Sequence, residues 1–153
     1  VVTRLGAKQA RIAALMLLTL KGTPFIYYGE EIGMHDVEIL PFEIKDPWER
    51  TEPGKGRDPE RTPMQWNDSK NAGFSNVKPW LKVSDDYRQI NVLVERLNQR
   101  SFLHLYQRIL TLRKKYLSLS IGSYKSLNLN EDCFIYSRYF KKEKFREKLH
   151  KQV

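Results

Sequence analysis

The side chains best placed to do chemistry here are two adjacent carboxylates and one arginine. Glu30 and Glu31 follow a short apolar segment that ends at Gly29. Carboxyls at a strand end suit acid–base or nucleophilic work. The same pair can cap backbone amides or partner nearby arginines, and that structural reading is preferred. Arg57 stands in Gly56-Arg57-Asp58-Pro59-Glu60-Arg61. Its guanidinium presents rigidly arranged donors to carboxylate and hydroxyl groups. The competing reading is an ion pair with Asp58 or Glu60 that anchors the loop. His35, His104 and His150 show no metal-ligand spacing,. There is no glycine-rich phosphate loop and no defensible Ser/His/Asp arrangement. These residues by themselves assign no catalytic group, no metal and no cofactor.

The elements that must position these residues are legible in part. Ala7 to Leu20 reads as a helix, apolar on most sides from Ile12 onward and stopped by Gly22 and Pro24,. Phe25-Ile26-Tyr27-Tyr28 is rich in β-formers and predicts a short strand ending at Gly29,. A buried helix followed by a short apolar strand suits a parallel α/β architecture.

From Glu30 to about Asp86 periodicity is absent and prolines cluster, yet Trp48, Trp66, Phe74 and Trp80 lie here. Aromatics are scarce in disordered segments, so an ordered, elaborated loop is predicted. Val92 to Leu97 carries a weak helical pattern. Ser101 to Tyr116 carries a stronger one, with Phe102, Leu105, Ile109, Leu112 and Tyr116 on one stripe, Ser101 as N-cap and basic residues late,. Tyr124 and Cys133 to Tyr139 read as strands around a turn at Asn128 to Asp132.

The 153 residues suit one ordinary domain, and 41% are apolar, enough for a core,. One cysteine, Cys133, excludes an internal disulfide,. The apolar run from Ile12 to Leu20 is shorter than the roughly 20 residues a membrane span needs. No basic segment followed by an apolar stretch opens the chain, which starts at Val1 without an initiator methionine,. The expectation is a cytoplasmic protein with no membrane partner. The net charge is +9, but six of its lysines and arginines crowd residues 141–151 around Glu143 and Glu147. With no nucleic-acid motif present, a solvated basic tail is preferred over a nucleic-acid surface.

Three stretches are specific in combination: Gly22-Thr23-Pro24-Phe25-Ile26-Tyr27-Tyr28-Gly29-Glu30-Glu31-Ile32-Gly33-Met34, then Gly56 to Trp66 (ending Arg61-Thr62-Pro63-Met64-Gln65-Trp66), then Asn71-Ala72-Gly73-Phe74 with Pro79-Trp80. Their order and spacing resemble the downstream part of α-glucosidases and oligo-1,6-glucosidases of the alpha-amylase superfamily, glycoside hydrolase family 13. The resemblance covers residues 1 to about 140. It implies an α/β fold: the C-terminal portion of a (β/α)8 TIM barrel with the start of a truncated C-terminal β-sandwich.

On this reading residues 1–120 are barrel (seventh helix, eighth strand, long loop, eighth helix). Residues 121–140 open the β domain, and 141–153 are a disordered basic tail. A partial barrel cannot close its sheet, so exposed edges are expected.

The resemblance implies retaining hydrolysis of non-reducing-end α-glucosidic bonds, with an α-linked glucose oligosaccharide as partner. The family's nucleophile, acid/base and supporting aspartate lie at the ends of the fourth, fifth and seventh strands, all upstream of Val1. The chain is therefore expected to be inactive alone. In the family, the arginine matching Arg57 reaches the sugar subsite where the bond breaks. Asp58 and Arg61 are expected to hold the loop, and Trp66 to be core. Where the family continues with an apolar strand, Phe140 to His150 turn charged, so both ends of the domain look cut. The alternatives are a non-catalytic α-glucosidase-like subunit, such as an amino-acid transporter ancillary protein, and a basic nucleic-acid-binding module.

Overall fold

In the computed structural model, which describes residues 1–127 and 133–150, the first helix, α1, runs Val2–Thr19. Gly6, at φ 75 and ψ 160, breaks it. The chain then divides into two compact units: residues 1–4 with 27–104, and residues 5–26 with 105–153. The break at Gly6 falls next to that division.

The first unit holds the long irregular segment. Its regular pieces are four 3-10 turns (Glu30–Ile32, Pro41–Glu43, Asp58–Glu60, Lys70–Gly73) and the short helices α2 (Pro47–Thr51) and α3 (Val92–Leu97). Order comes from burial and from side chains that satisfy the backbone. Ile32, Met64 and Val92 form the centre of an apolar cluster with Met34 and Leu103 packed on it. Each such side chain stabilises by about 1.5–3 kcal/mol when fully buried. The amides of Val92 and Leu93 donate to the carbonyls of Gln65 and Trp66 at 3.0 and 3.1 Å, tying α3 to the Thr62–Trp66 segment.

Gly29 and Gly33 flank the first 3-10 turn with φ 87 and 71. A Cβ at Gly33 would sit 2.8 Å from the Phe102 ring, and one at Gly29 2.6 Å from Met34 Sδ. Both the backbone sign and the space demand glycine there.

The second unit holds the rest of α1, α4 (Phe102–Lys115) from Leu105 onward, α5 (Leu117–Ser120) and an antiparallel sheet. At the start of α4, Ser101 Oγ accepts the His104 amide at 3.2 Å, which is the expected N-cap,. The sheet order is β1 (Ser123–Ser126), β2 (Cys133–Phe140), β3 (Glu143–His150).

Four expectations are corrected. Phe25–Tyr28 is not a strand: strands exist by ladder bonds to a neighbour, none of the described strands pairs with it, and Phe25 is 83% exposed. Helix α1 is not buried on most sides. Ala10, Ala14 and Leu18, four apart, form one buried stripe, while Leu17 is exposed.

The basic segment from 141 is not a disordered tail, since residues 143–150 pair with β2 from Phe140↔Glu143 to Cys133↔His150. The reason lies in the alternation. Lys144, Arg146 and Lys148 are exposed, while Glu143, Phe145, Glu147 and Leu149 are covered to differing degrees. The positive charges occupy one face, which strand geometry permits. Finally, Trp66 is not core but 48% exposed. The turn expected at Asn128 to Asp132 and the tail residues 151–153 lie outside the described residues. No helix among the described residues is long and apolar enough to cross a membrane.

Candidate functional site

The segment around Arg57 is held by carboxylates that collect backbone amides. Asp58, 6% exposed, accepts the amides of Lys45 and Asp46 through Oδ2 at 2.6 and 2.8 Å. Asp46 caps α2, with Oδ1 accepting the Trp48 amide at 3.0 Å. Its Oδ2 takes the Arg57 amide at 3.0 Å and Arg57 Nε at 3.1 Å. Glu49 accepts the amides of Gly54 and Gly56 at 2.8 and 2.6 Å.

Asp58 thus holds the loop as expected, but the partner of Arg57 is Asp46, neither Asp58 nor Glu60. The Arg57 side chain stays 52% exposed. Among the described residues Nη1 and Nη2 make no hydrogen bond.

The amides of Trp48 and Arg57, with the Arg57 guanidinium, hold the Asp46 carboxyl below its ordinary value of 3.8,. A depressed folded-state pKa stabilises above the ordinary value and ceases to as pH falls through the folded one. Acidification below pH 3.8 is therefore expected to release the loop. Limited proteolysis between Lys45 and Arg61 should accelerate there. Asp46→Asn should already be cut fast at neutral pH and show a weaker acid response. Equal pH dependence in both proteins would refute the role of Asp46.

A cavity of about 230 Å³ opens beside the 3-10 turn after Gly29. Its walls include Arg4, Tyr27, Tyr28, Glu30, His35 and Glu60. The Tyr27 and Tyr28 rings lie 4.9 Å apart at 30°. Tyr28 Oη donates to the Thr62 carbonyl at 3.0 Å, and burial, with Tyr27 beside it, raises the Tyr28 pKa. Glu30 Oε2 accepts the Tyr27 amide at 3.4 Å, a turn-capping contact as the sequence expects.

Glu31 lies elsewhere, in a larger and more apolar cavity of about 450 Å³ with Arg61, Trp66, Phe74 and Trp80. Its Oε2 is buried without a hydrogen-bond partner. Arg57 lines neither cavity. Glu30, Glu31 and Arg57 therefore do not converge on one cavity.

His35, which the sequence offers only as a histidine without metal-ligand spacing, pairs with a carboxylate. Its Nδ1 is 2.8 Å from Asp86 Oδ2, and Asp86 Oδ1 accepts Gln65 Nε2 at 3.3 Å. Nothing in local spacing signals a pair 51 positions apart. His104 bonds Ser101 Oγ and the Asn98 carbonyl, a structural role. Among the described residues no three His, Cys, Asp or Glu side chains cluster to hold a metal.

Arg57 and Asp58, through which this loop is tied, lie within one of the stretches that carry the family motifs. The alpha-amylase catalytic-domain model matches residues 1–122, and the chain belongs to that family.

Among relatives it is 38% identical to the oligo-1,6-glucosidase of Parageobacillus thermoglucosidasius, over 84% of this chain and 26% of that protein. It is 35% identical to the alpha-glucosidase of Apis mellifera, over 90% of this chain and 25% of that one. The trehalulose synthase MutB of Pseudomonas mesoacidophila MX-45 superposes with a TM-score of 0.85 at 31% identity, covering 97% of this chain and 32% of MutB. The chain spans about a quarter to a third of the length of the relatives it matches.

Proposed function

We propose that this chain supplies part of a retaining α-glucosidase that cleaves non-reducing-end α-glucosidic bonds of oligosaccharides. On this reading residues 1–120 belong to the (β/α)8 barrel, and the strands from residue 121 open a C-terminal β-sandwich. The single observation that carries the reading is the family match over residues 1–122, at 38% identity to an oligo-1,6-glucosidase. Retaining hydrolysis needs two carboxyls about 5–5.5 Å apart. By the family resemblance these lie on strands ahead of Val1, so activity requires the rest of such a domain.

Arg57 is the substrate-binding residue of this proposal. Asp46 engages its Nε, which fixes the guanidinium plane and leaves both Nη groups to reach a sugar hydroxyl. The test is a chimera in which residues 1–150 replace the matching segment of the Parageobacillus oligo-1,6-glucosidase. Arg57→Ala in that chimera should lower kcat/KM for isomaltose by roughly ten- to a hundredfold, the loss of about 1.5–3 kcal/mol expected for a charge-assisted hydrogen bond. An unchanged kcat/KM in a variant that melts like its parent removes Arg57 from the site.

A further inference from the structure

We propose that His35 is a substrate-binding residue, hydrogen-bonding a hydroxyl of the bound saccharide through Nε2. The proposal deepens the α-glucosidase reading and rests on it. Three observations carry it.

The first is orientation. Gln65 is fully buried and donates through Nε2 to Asp86 and to the Ile90 carbonyl. Asp86 in turn holds His35 Nδ1. A carboxylate at Nδ1 makes that nitrogen the donor, so the neutral ring presents Nε2 as an acceptor.

The second is availability. His35 is 41% exposed at its side chain, and among the described residues Nε2 has no partner. An imidazole fixed at one nitrogen and open at the other is ready to bind.

The third is the company it keeps. His35 lines the 230 Å³ cavity together with Tyr27, Tyr28, Glu30 and Arg4. Sugars present an apolar C–H face and a rim of hydroxyls. Aromatic side chains suit the apolar face, and fixed acceptors and donors read the rim. The cavity is below the about 300–1,000 Å³ typical of drug-sized sites, so it takes one ring of a short saccharide.

The alternative is that the His35–Asp86 pair merely staples two loop segments. A staple would influence stability and leave saccharide affinity alone.

The experiment has two arms. In the chimera, His35→Ala should raise KM for isomaltose about three- to tenfold with kcat and melting temperature little changed, the size of one hydroxyl hydrogen bond. His35→Gln, which can place an amide near the Nε2 position, should recover most of it. In the 153-residue chain, the His35 Cε1–Hε1 NMR signal, assigned by its loss in His35→Gln, should shift on titration with isomaltose.

Unchanged KM in His35→Ala overturns the inference while the α-glucosidase reading stands. Loss of melting temperature in both variants without a KM change leaves only the staple and also overturns it. A chimera that is inactive with His35 in place sinks the α-glucosidase reading. The binding arm then still decides, since no shift up to about 50 mM isomaltose or maltose overturns His35 as a saccharide ligand.

Discussion

The purified chain, incubated with isomaltose, maltose or a chromogenic α-glucoside, is expected to release no glucose above a host-protein blank. Glycoside hydrolysis proceeds through an oxocarbenium-like transition state that needs a nucleophile on one side and a positioned acid on the other. Three of the loop carboxylates are engaged by backbone amides. Asp46 and Asp58 spend their oxygens on backbone amides. Glu30 caps the Tyr27 amide, and Glu31 sits in a different cavity from Glu30. The hydrogen bonds proposed for Arg57 and His35 would supply only a small part of the ~8 kcal/mol or more that enzymes take off such barriers. Turnover above the blank that disappears in Glu30→Gln, Glu31→Gln or Glu60→Gln would show a catalytic site within this chain and sink the reading that it depends on the rest of the domain.

The largest stability effect is expected from the second unit, in Arg138→Met. Helix α1 ends with carbonyls that have no intrahelical partner. Two buried arginines take them. Arg113, 8% exposed, donates through Nη1 to Leu18 and Leu20 at 2.8 and 3.2 Å and through Nη2 to Gly22. Arg138, fully buried on β2, donates to Thr19 at 2.7 Å and to Gly122 at 2.9 Å.

Positive charge at a helix C-terminus also meets the negative end of the macrodipole. Burial lowers the pKa of both guanidiniums, a desolvation cost that these carbonyl bonds offset,. Methionine keeps much of the stem but leaves two carbonyls buried and unsatisfied, at about 1–3 kcal/mol each plus the lost charge-assisted bonds.

The expected loss is about 3–5 kcal/mol, or roughly 10 °C in melting temperature for a chain of this size. Arg57→Ala, at an exposed arginine, serves as the control and should shift melting by under about 2 °C. Arg138→Met melting as close to wild type as that control would show that the helix end does not depend on this cap.

Much of the architecture could be read from residue order. The Ser101 N-cap and the Phe102–Tyr116 stripe predict α4 within a residue or two, because capping and helical period are local. The Gly22 to Met34, Gly56 to Trp66 and Asn71 to Phe74 stretches point to the alpha-amylase family, which the match over residues 1–122 shows.

Other features were decided by partners remote in sequence. Whether Phe25–Tyr28 forms a strand depends on a neighbour with which to share a ladder, and its β-forming composition cannot supply one. The run of lysines from 141 reads as solvated until β2 is beside it. Only then does alternation put Glu143 against the Ser118 amide and Lys144, Arg146 and Lys148 in water.

Arg57 is legible as a candidate, but its hold on Asp46, eleven positions earlier, comes from the loop's return on itself. The same holds for Gln65, Asp86 and His35. Each is an ordinary polar residue in the sequence, and the tertiary structure lines them up because a buried amide and a half-buried carboxylate must each find a partner,. Residue types and local periods state what each segment can form, and packing against distant segments selects which hydrogen bonds are made.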